Sequence, residues 1–262
     1  MGVAAVLTPI ALYTRYINKD TDQIINQMIN AVNSGDLAQT KKLLEAGHDV
    51  DSVFRGKGNH SAGVLSQAAM AGDLPMCQLL VSYGADLNLA ASNQPMACPL
   101  GEAAKACNPE LMHFLLASGA TNPAKKMLGD MGVNVLHSWC LRCSSQPGAE
   151  GVVGALVQLD SGLITEKIDK RGNRGAGFHR GSTPLHLAVR SADGSGYSIA
   201  VIEALVAAGA DLSAVESVKV GSKQMVGECK EMTPLKLARE NGALSQNRAV
   251  LKLLIHCTTD AR

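Results

Sequence analysis

The sequence predicts an all-α fold: a solenoid of stacked helix-turn-helix units carrying extended, hairpin-like finger loops. Three observations carry this prediction. The stretch Thr183-Pro184-Leu185-His186-Leu187-Ala188-Val189 is followed, after a second apolar run, by Gly209-Ala210-Asp211-Leu212, and degraded copies of the pair recur along the chain. Closing glycines return at positions 47, 84, 119, 162 and 209. The chain is 46% hydrophobic but only 3% aromatic. Compact cores lean on large rings, whereas thin layers of Ala- and Leu-rich helices need few.

The local physics of the best-preserved stretch agrees. Pro184 has a fixed φ and no N–H, which suits the first turn of a helix just after a capping Thr. Ala188 and Val189 keep that helix thin enough to stack. Gly209 can adopt the left-handed conformation that ends the second helix.

The other units follow in order, over about 22–52, 60–89, 95–122, 131–165, 180–213 and 230–262. In the first, Ile24, Ile25, Met28, Ile29 and Val32 recur at helical spacing, and Gly47 to Asp51 closes the unit. The second opens at Val64-Leu65, turns at Gly72-Asp73 and closes at Gly84-Ala85-Asp86. The third runs from Cys98-Pro99-Leu100 to Gly119-Ala120, and the most deviant fourth from Asn134-Val135-Leu136-His137 to Gly162. The sixth opens at Thr233-Pro234-Leu235 and ends in polar residues, as a terminal cap should. Residues 22–262 are expected to form one domain. Residues 1–21 are an apolar segment, expected as a capping helix, with a cropped anchor as the alternative. The apolar run itself, Val3 to Tyr13, is too short to span a bilayer and lacks the basic stretch that precedes a secretory core.

These residues resemble the ankyrin repeat, whose Thr-Pro-Leu-His opening, paired small residues and Gly-Ala-Asp close they reproduce over about residues 22–257. The resemblance implies a protein-binding solenoid without catalysis, and a histidine that hydrogen-bonds between repeats. It says nothing about the partner, because the consensus residues are structural. The closing glycines are separated by 37, 35, 43 and 47 residues, against a family norm of about 33. The excess falls in two helix-joining loops (143–152 and 191–198) and two fingers (165–182 and 213–232). Insertions in repeat proteins map to loops, often on the binding face.

Chemistry finds few candidates. His137, Cys140 and Cys143 could form a thiol or metal centre. Aligned with the other units, however, Cys140 stands at a small-residue position and Cys143 at the turn position of Gly72. Buried filler is the simpler reading. The Arg171–Gly177 stretch is basic and glycine-rich but lacks the Lys-Ser/Thr of a phosphate loop. No cofactor is expected. Seven cysteines form no spaced disulfide framework, which points to a reducing, cytoplasmic setting.

In the repeat pattern, the residues after the paired small ones line the concave face. That places Lys105, Arg142 and Arg190 on one face of three consecutive units. The fingers add Arg55 and Lys57, then Lys167, Lys170, Arg171, Arg174 and Arg180. The whole chain carries Lys+Arg 24 against Asp+Glu 23, a net charge of +1, so a local positive strip would stand in a near-neutral molecule. Such a strip suits an acidic protein surface, since Arg grips carboxylates bidentately and opposite potentials speed encounter. The expectation is a protein-binding module, monomeric when free, in a toxin-neutralising (immunity-type) or effector role. Nucleic-acid binding through finger 165–182 is the alternative, which the low net charge disfavours.

Overall fold

A computed structural model of the chain describes residues 23, 25–55, 61–89, 98–121, 133–169, 179–219 and 229–259. Helix α1 covers 25–33 and α2 covers Leu37–Glu45. A hairpin, β1 (Val53–Arg55) and β2 (Ser61–Gly63), leads into α3 (Val64–Ala71) and α4 (Leu74–Ser82). Next come α5 (Pro99–Ala106), α6 (Pro109–Ala117), α7 (Val135–Arg142) and α8 (Ala149–Leu159). After α9 (Pro184–Ser191) and α10 (Gly196–Ala207), a second hairpin of β3 (Glu216–Lys219) and β4 (Cys229–Met232) precedes α11 (Pro234–Glu240) and α12 (Arg248–Thr259).

The inner helices α3, α5, α7, α9 and α11 pack each on the next, and behind them α6, α8, α10 and α12 form an outer row. Ala68, Ala69, Ala103, Ala104 and Ala188 are almost wholly buried between the inner helices. A larger side chain there would push adjacent layers apart. One continuous apolar core runs from Met28 to Leu254.

Capping explains the helix starts. Asp36, Asp73, Asn108 and Ser195 each accept a backbone N–H in the first turn of an outer helix. Pro opens α5, α9 and α11, where its missing N–H has no helical partner to lose. Gly47, Gly84, Gly119 and Gly209 all take positive φ and end their outer helices as expected. Gly162 does not: α8 ends at extended Asp160, whose Oδ1 accepts from Gly162 N at 2.9 Å and starts a 3-10 turn over Ser161–Ile164. The side-chain cap of Asp160 replaces the left-handed glycine.

The insertions have structure of their own. Buried Trp139 of α7 donates from Nε1 to Ala149 O, at the start of α8, at 3.1 Å, tying the end of the long connection to the inner helix. Trp139→Phe should lose about 2 kcal/mol in urea unfolding, because the buried carbonyl is left without its donor. Finger 213–232 is a hairpin, β3 antiparallel to β4 with Glu216 opposite Met232, and it meets finger 165–182 where Ser217 N donates to Arg180 O at 2.8 Å. At Gly181, with φ +86, a Cβ would lie 2.4 Å from Val215 O. Only glycine allows the fingers to approach this closely.

Candidate functional site on the concave face

The histidines come first, because they connect the units that carry the site. His137 Nδ1 accepts from Asn134 N at 3.3 Å, while Nε2 lies 3.2 Å from Ser182 O, one repeat on. His186 repeats the arrangement: Nδ1 accepts from Thr183 N at 3.2 Å and Nε2 lies 3.1 Å from Met232 O. Each ring therefore donates from Nε2 to the finger of the following repeat. Both are fully buried, and burial holds both well below the ordinary histidine range, at about 4. They are neutral at pH 7, and both nitrogens are engaged.

That geometry answers for the thiol–metal candidate. His137 is committed to Asn134 and Ser182. Cys140 is fully buried, and burial pushes its thiol up. Cys143 is bonded to Cys107. The pairing corrects the reading of Cys143 as unpaired filler and of the cysteines as forming no disulfide. The two lie 36 residues apart in sequence, and only the stacking of units three and four brings them together.

The basic positions separate into three groups. Arg190, at the end of α9, donates to Glu216 of β3, and Ser182 donates to the same carboxylate. The Glu216 side chain is fully buried and that of Arg190 is 22% exposed. Burial lowers Arg190 and raises Glu216, each opposed by the attraction between them. Arg190 nonetheless keeps its charge, so this is a buried ion pair rather than an open concave cation. Lys105 and Lys167 also carry acids, with Glu102 at 2.7 Å and Asp211 at 3.8 Å respectively.

Arg142 and Arg180 are exposed, with no carboxylate partner among the described residues. Arg55 has its backbone in β1. Lys57, Lys170, Arg171 and Arg174 lie outside the described residues, as do residues 1–22.

Around Arg190 the fingers and helices enclose a cleft of about 320 Å³. Val218, Met232 and Leu237 supply apolar walls; His179, Arg190, Lys230 and Glu240 supply polar ones. Lys230 and Glu240 pair across the mouth. Of these, sequence reasoning found Arg190. It missed Ser182, Glu216 and the cleft, because an acid in a finger insertion carries no sign that it turns inward. Leu212 and Ala214, four and two residues before it, are the one signal available, since a strand turns alternate residues to the same side.

The Ankyrin repeat family model matches residues 64–92 and 180–217. Several solved structures share the fold. A chain from the Bdellovibrio bacteriovorus structure of the Bd0816 predatory endopeptidase in complex with immunity protein Bd3460 is 22% identical. It matches over 90% of this chain and 98% of its own, with a TM-score of 0.58. An ankyrin repeat domain from Acinetobacter baumannii AYE is 20% identical over 87% of this chain and 95% of its own, at 0.59. The human ASB11 ankyrin repeat domain is 23% identical over 87% and 80%, at 0.52. No curated protein sequence matches the chain. Among the described residues, no helix is long and apolar enough to cross a membrane.

Proposed function

For a chain that belongs to the ankyrin-repeat family, we propose a non-enzymatic role: holding an acidic segment of another protein across the concave face of units four to six. The observation that carries this is the cleft beside Arg190, with apolar walls for an anchoring side chain and charged residues around them. Buried anchors surrounded by polar rims are where binding energy concentrates. Arg142 and Arg180, exposed and without a described acid, supply the attraction to a carboxylate-rich partner. The histidines and Cys143 serve the scaffold, so no catalytic step is assigned to them.

The likeness in fold and extent to a chain from an immunity-protein complex supports a toxin-neutralising form of this role. The simplest check on that form is co-expression with the product of a neighbouring reading frame. Growth rescued by the intact chain, and lost with the variant below, is the expected result.

The general reading is tested by reversing charge where it is open. Partner captured from the native host and identified by mass spectrometry is titrated against Arg142→Glu/Arg180→Glu. Rim charges act mainly on encounter, so association should slow by roughly tenfold and lose salt dependence. Thermal unfolding should stay near that of the parent. Capture unchanged by the double reversal would refute the acidic-partner reading.

A further inference from the structure

At the ends of α5, α9 and α11 the chain bonds back to the preceding repeat. Asn108 Nδ2 donates to Gly72 O at 3.1 Å, Ser191 Oγ to Cys140 O at 2.7 Å, and Asn241 Nδ2 to Val189 O at 2.8 Å. Between units three and four the same position holds a covalent bond instead. Cys107, in the left-handed turn after α5, is joined to Cys143, which caps α7, with their Cα atoms 5.1 Å apart. The α5–α7 contact is thin beside those of α3 on α5 and α7 on α9, as is the contact of α9 on α11 at the last junction. Each repeat of a solenoid is held only by its neighbours. A cross-link at a thin junction therefore carries more of the cohesion than one at a thick junction.

We propose that Cys107–Cys143 is a thiol–disulfide exchange site: formed in an oxidising compartment, it clamps units three and four, and a dithiol reductant opens it. Access is uneven in the required way. Cys107 is half-buried and faces a cleft of about 450 Å³ between Gly72, Ala106, Asn108, Pro109 and Pro147, whereas Cys143 is fully buried. A thiolate of the reductant attacks Cys107 Sγ, forms a mixed disulfide and expels Cys143 Sγ, which takes a proton. The second thiolate of the reductant then attacks the reductant's own sulfur in that mixed disulfide. The reductant closes into a disulfide, and Cys107 leaves and is protonated. Two electrons and two protons pass to the protein.

The reduced state has a hydrogen bond waiting. Cys143 Sγ lies 3.1 Å from Ala104 O, so the freed thiol donates to the preceding repeat as Asn108, Ser191 and Asn241 do at their junctions. The clamp is thus replaced by the ordinary link, and the junction weakens while the newly freed Cys143 thiol finds a buried acceptor. The other described cysteines do not compete. Cys77, Cys98 and Cys140 are buried, and burial pushes their thiols up, Cys77 to about 12, which leaves little thiolate for exchange.

The test uses the full chain, oxidised with glutathione disulfide, blocked with iodoacetamide and mapped by tryptic mass spectrometry. The expected result is a linked Cys107–Cys143 peptide that dithiothreitol separates. Reduction should lower Tm by about 10 °C, from the loop-closure effect of the cross-link and the usual shift for a chain of this size. Hydrogen exchange should quicken first in α5 and α7. Cys107→Ala/Cys143→Ala should sit at the reduced Tm and ignore the reductant; if it does not fold, the parent with and without dithiothreitol decides. Alkylation of both cysteines after oxidation, a linked peptide that resists dithiothreitol, or an unchanged Tm on reduction would each overturn the proposal.

Discussion

Arg190→Ala should destabilise the solenoid by roughly 3–5 kcal/mol, the range for removing one partner of a buried ion pair. The reason lies in Glu216 rather than in Arg190. The Glu216 side chain has no solvent exposure and, among the described residues, accepts from two side-chain donors, Arg190 and Ser182. Without the guanidinium, the buried carboxylate must remain charged without a compensating cation or take a proton, and either lowers stability. The loss should be read in urea unfolding at pH 7. Arg190→Ala/Glu216→Gln should recover much of it, since the uncompensated charge is gone. Arg142→Ala, which removes an exposed cation, should stay within about 0.5 kcal/mol of the parent. Equal losses for Arg190→Ala and the double variant would show that packing, not charge, governs the position. The contrast also decides how binding is tested: reversing Arg190 would disturb the fold, so only Arg142 and Arg180 report on the partner.

Acidification should unfold the protein over pH 6.5 to about 4, through His137 and His186. Both have folded-state values pushed down to about 4 by burial, against an unfolded value near 6.5. Between those limits the unfolded chain binds more protons than the folded one, so stability rises with pH. It is fully present above about 6.5 and is lost as pH falls towards 4. Each histidine contributes roughly 3 kcal/mol across the window, a large share of an ordinary folding stability of about 5–15 kcal/mol. Glu216, pushed up by burial, works in the opposite sense over part of that range, for one proton against two. Urea midpoints at a series of pH values should show the slope, and His137→Gln should flatten it by about half. A midpoint that does not move between pH 7 and 5 would exclude the histidines as the acid-labile links.

The same residues show why some features were legible in the sequence and others were not. His186 could be assigned to a bond between repeats because its neighbours Thr183 and Pro184 are local, and local signals survive in a repeat. His137 follows from alignment with it. Gly209 and Gly84 could be placed because a left-handed helix end needs a residue without a Cβ. Gly162 could not, since Asp160 offered a competing side-chain cap two residues earlier.

The basic strip was legible only as composition. Lys105, Lys167 and Arg190 are where the concave pattern and the fingers place them, yet each has an acid beside it. Those acids are Glu102, one turn away on the same helix; Asp211, in the close of unit five; and Glu216, in a strand of the next finger. Distance along the chain hides the last two, and nothing in a list of charges tells an open cation from a paired one.

By itself, the sequence determined the repeat: which residues cap, which stay small, where helices end and where the loops lengthen. These depend on interactions within a few residues or on one repeated packing position. The tertiary structure alone decided how the long loops are used. The pairing of two fingers, the inward turn of Glu216 and the bond between Cys107 and Cys143 all join residues of different repeats. Such contacts depend on the distance between stacked units in space, which no local pattern encodes.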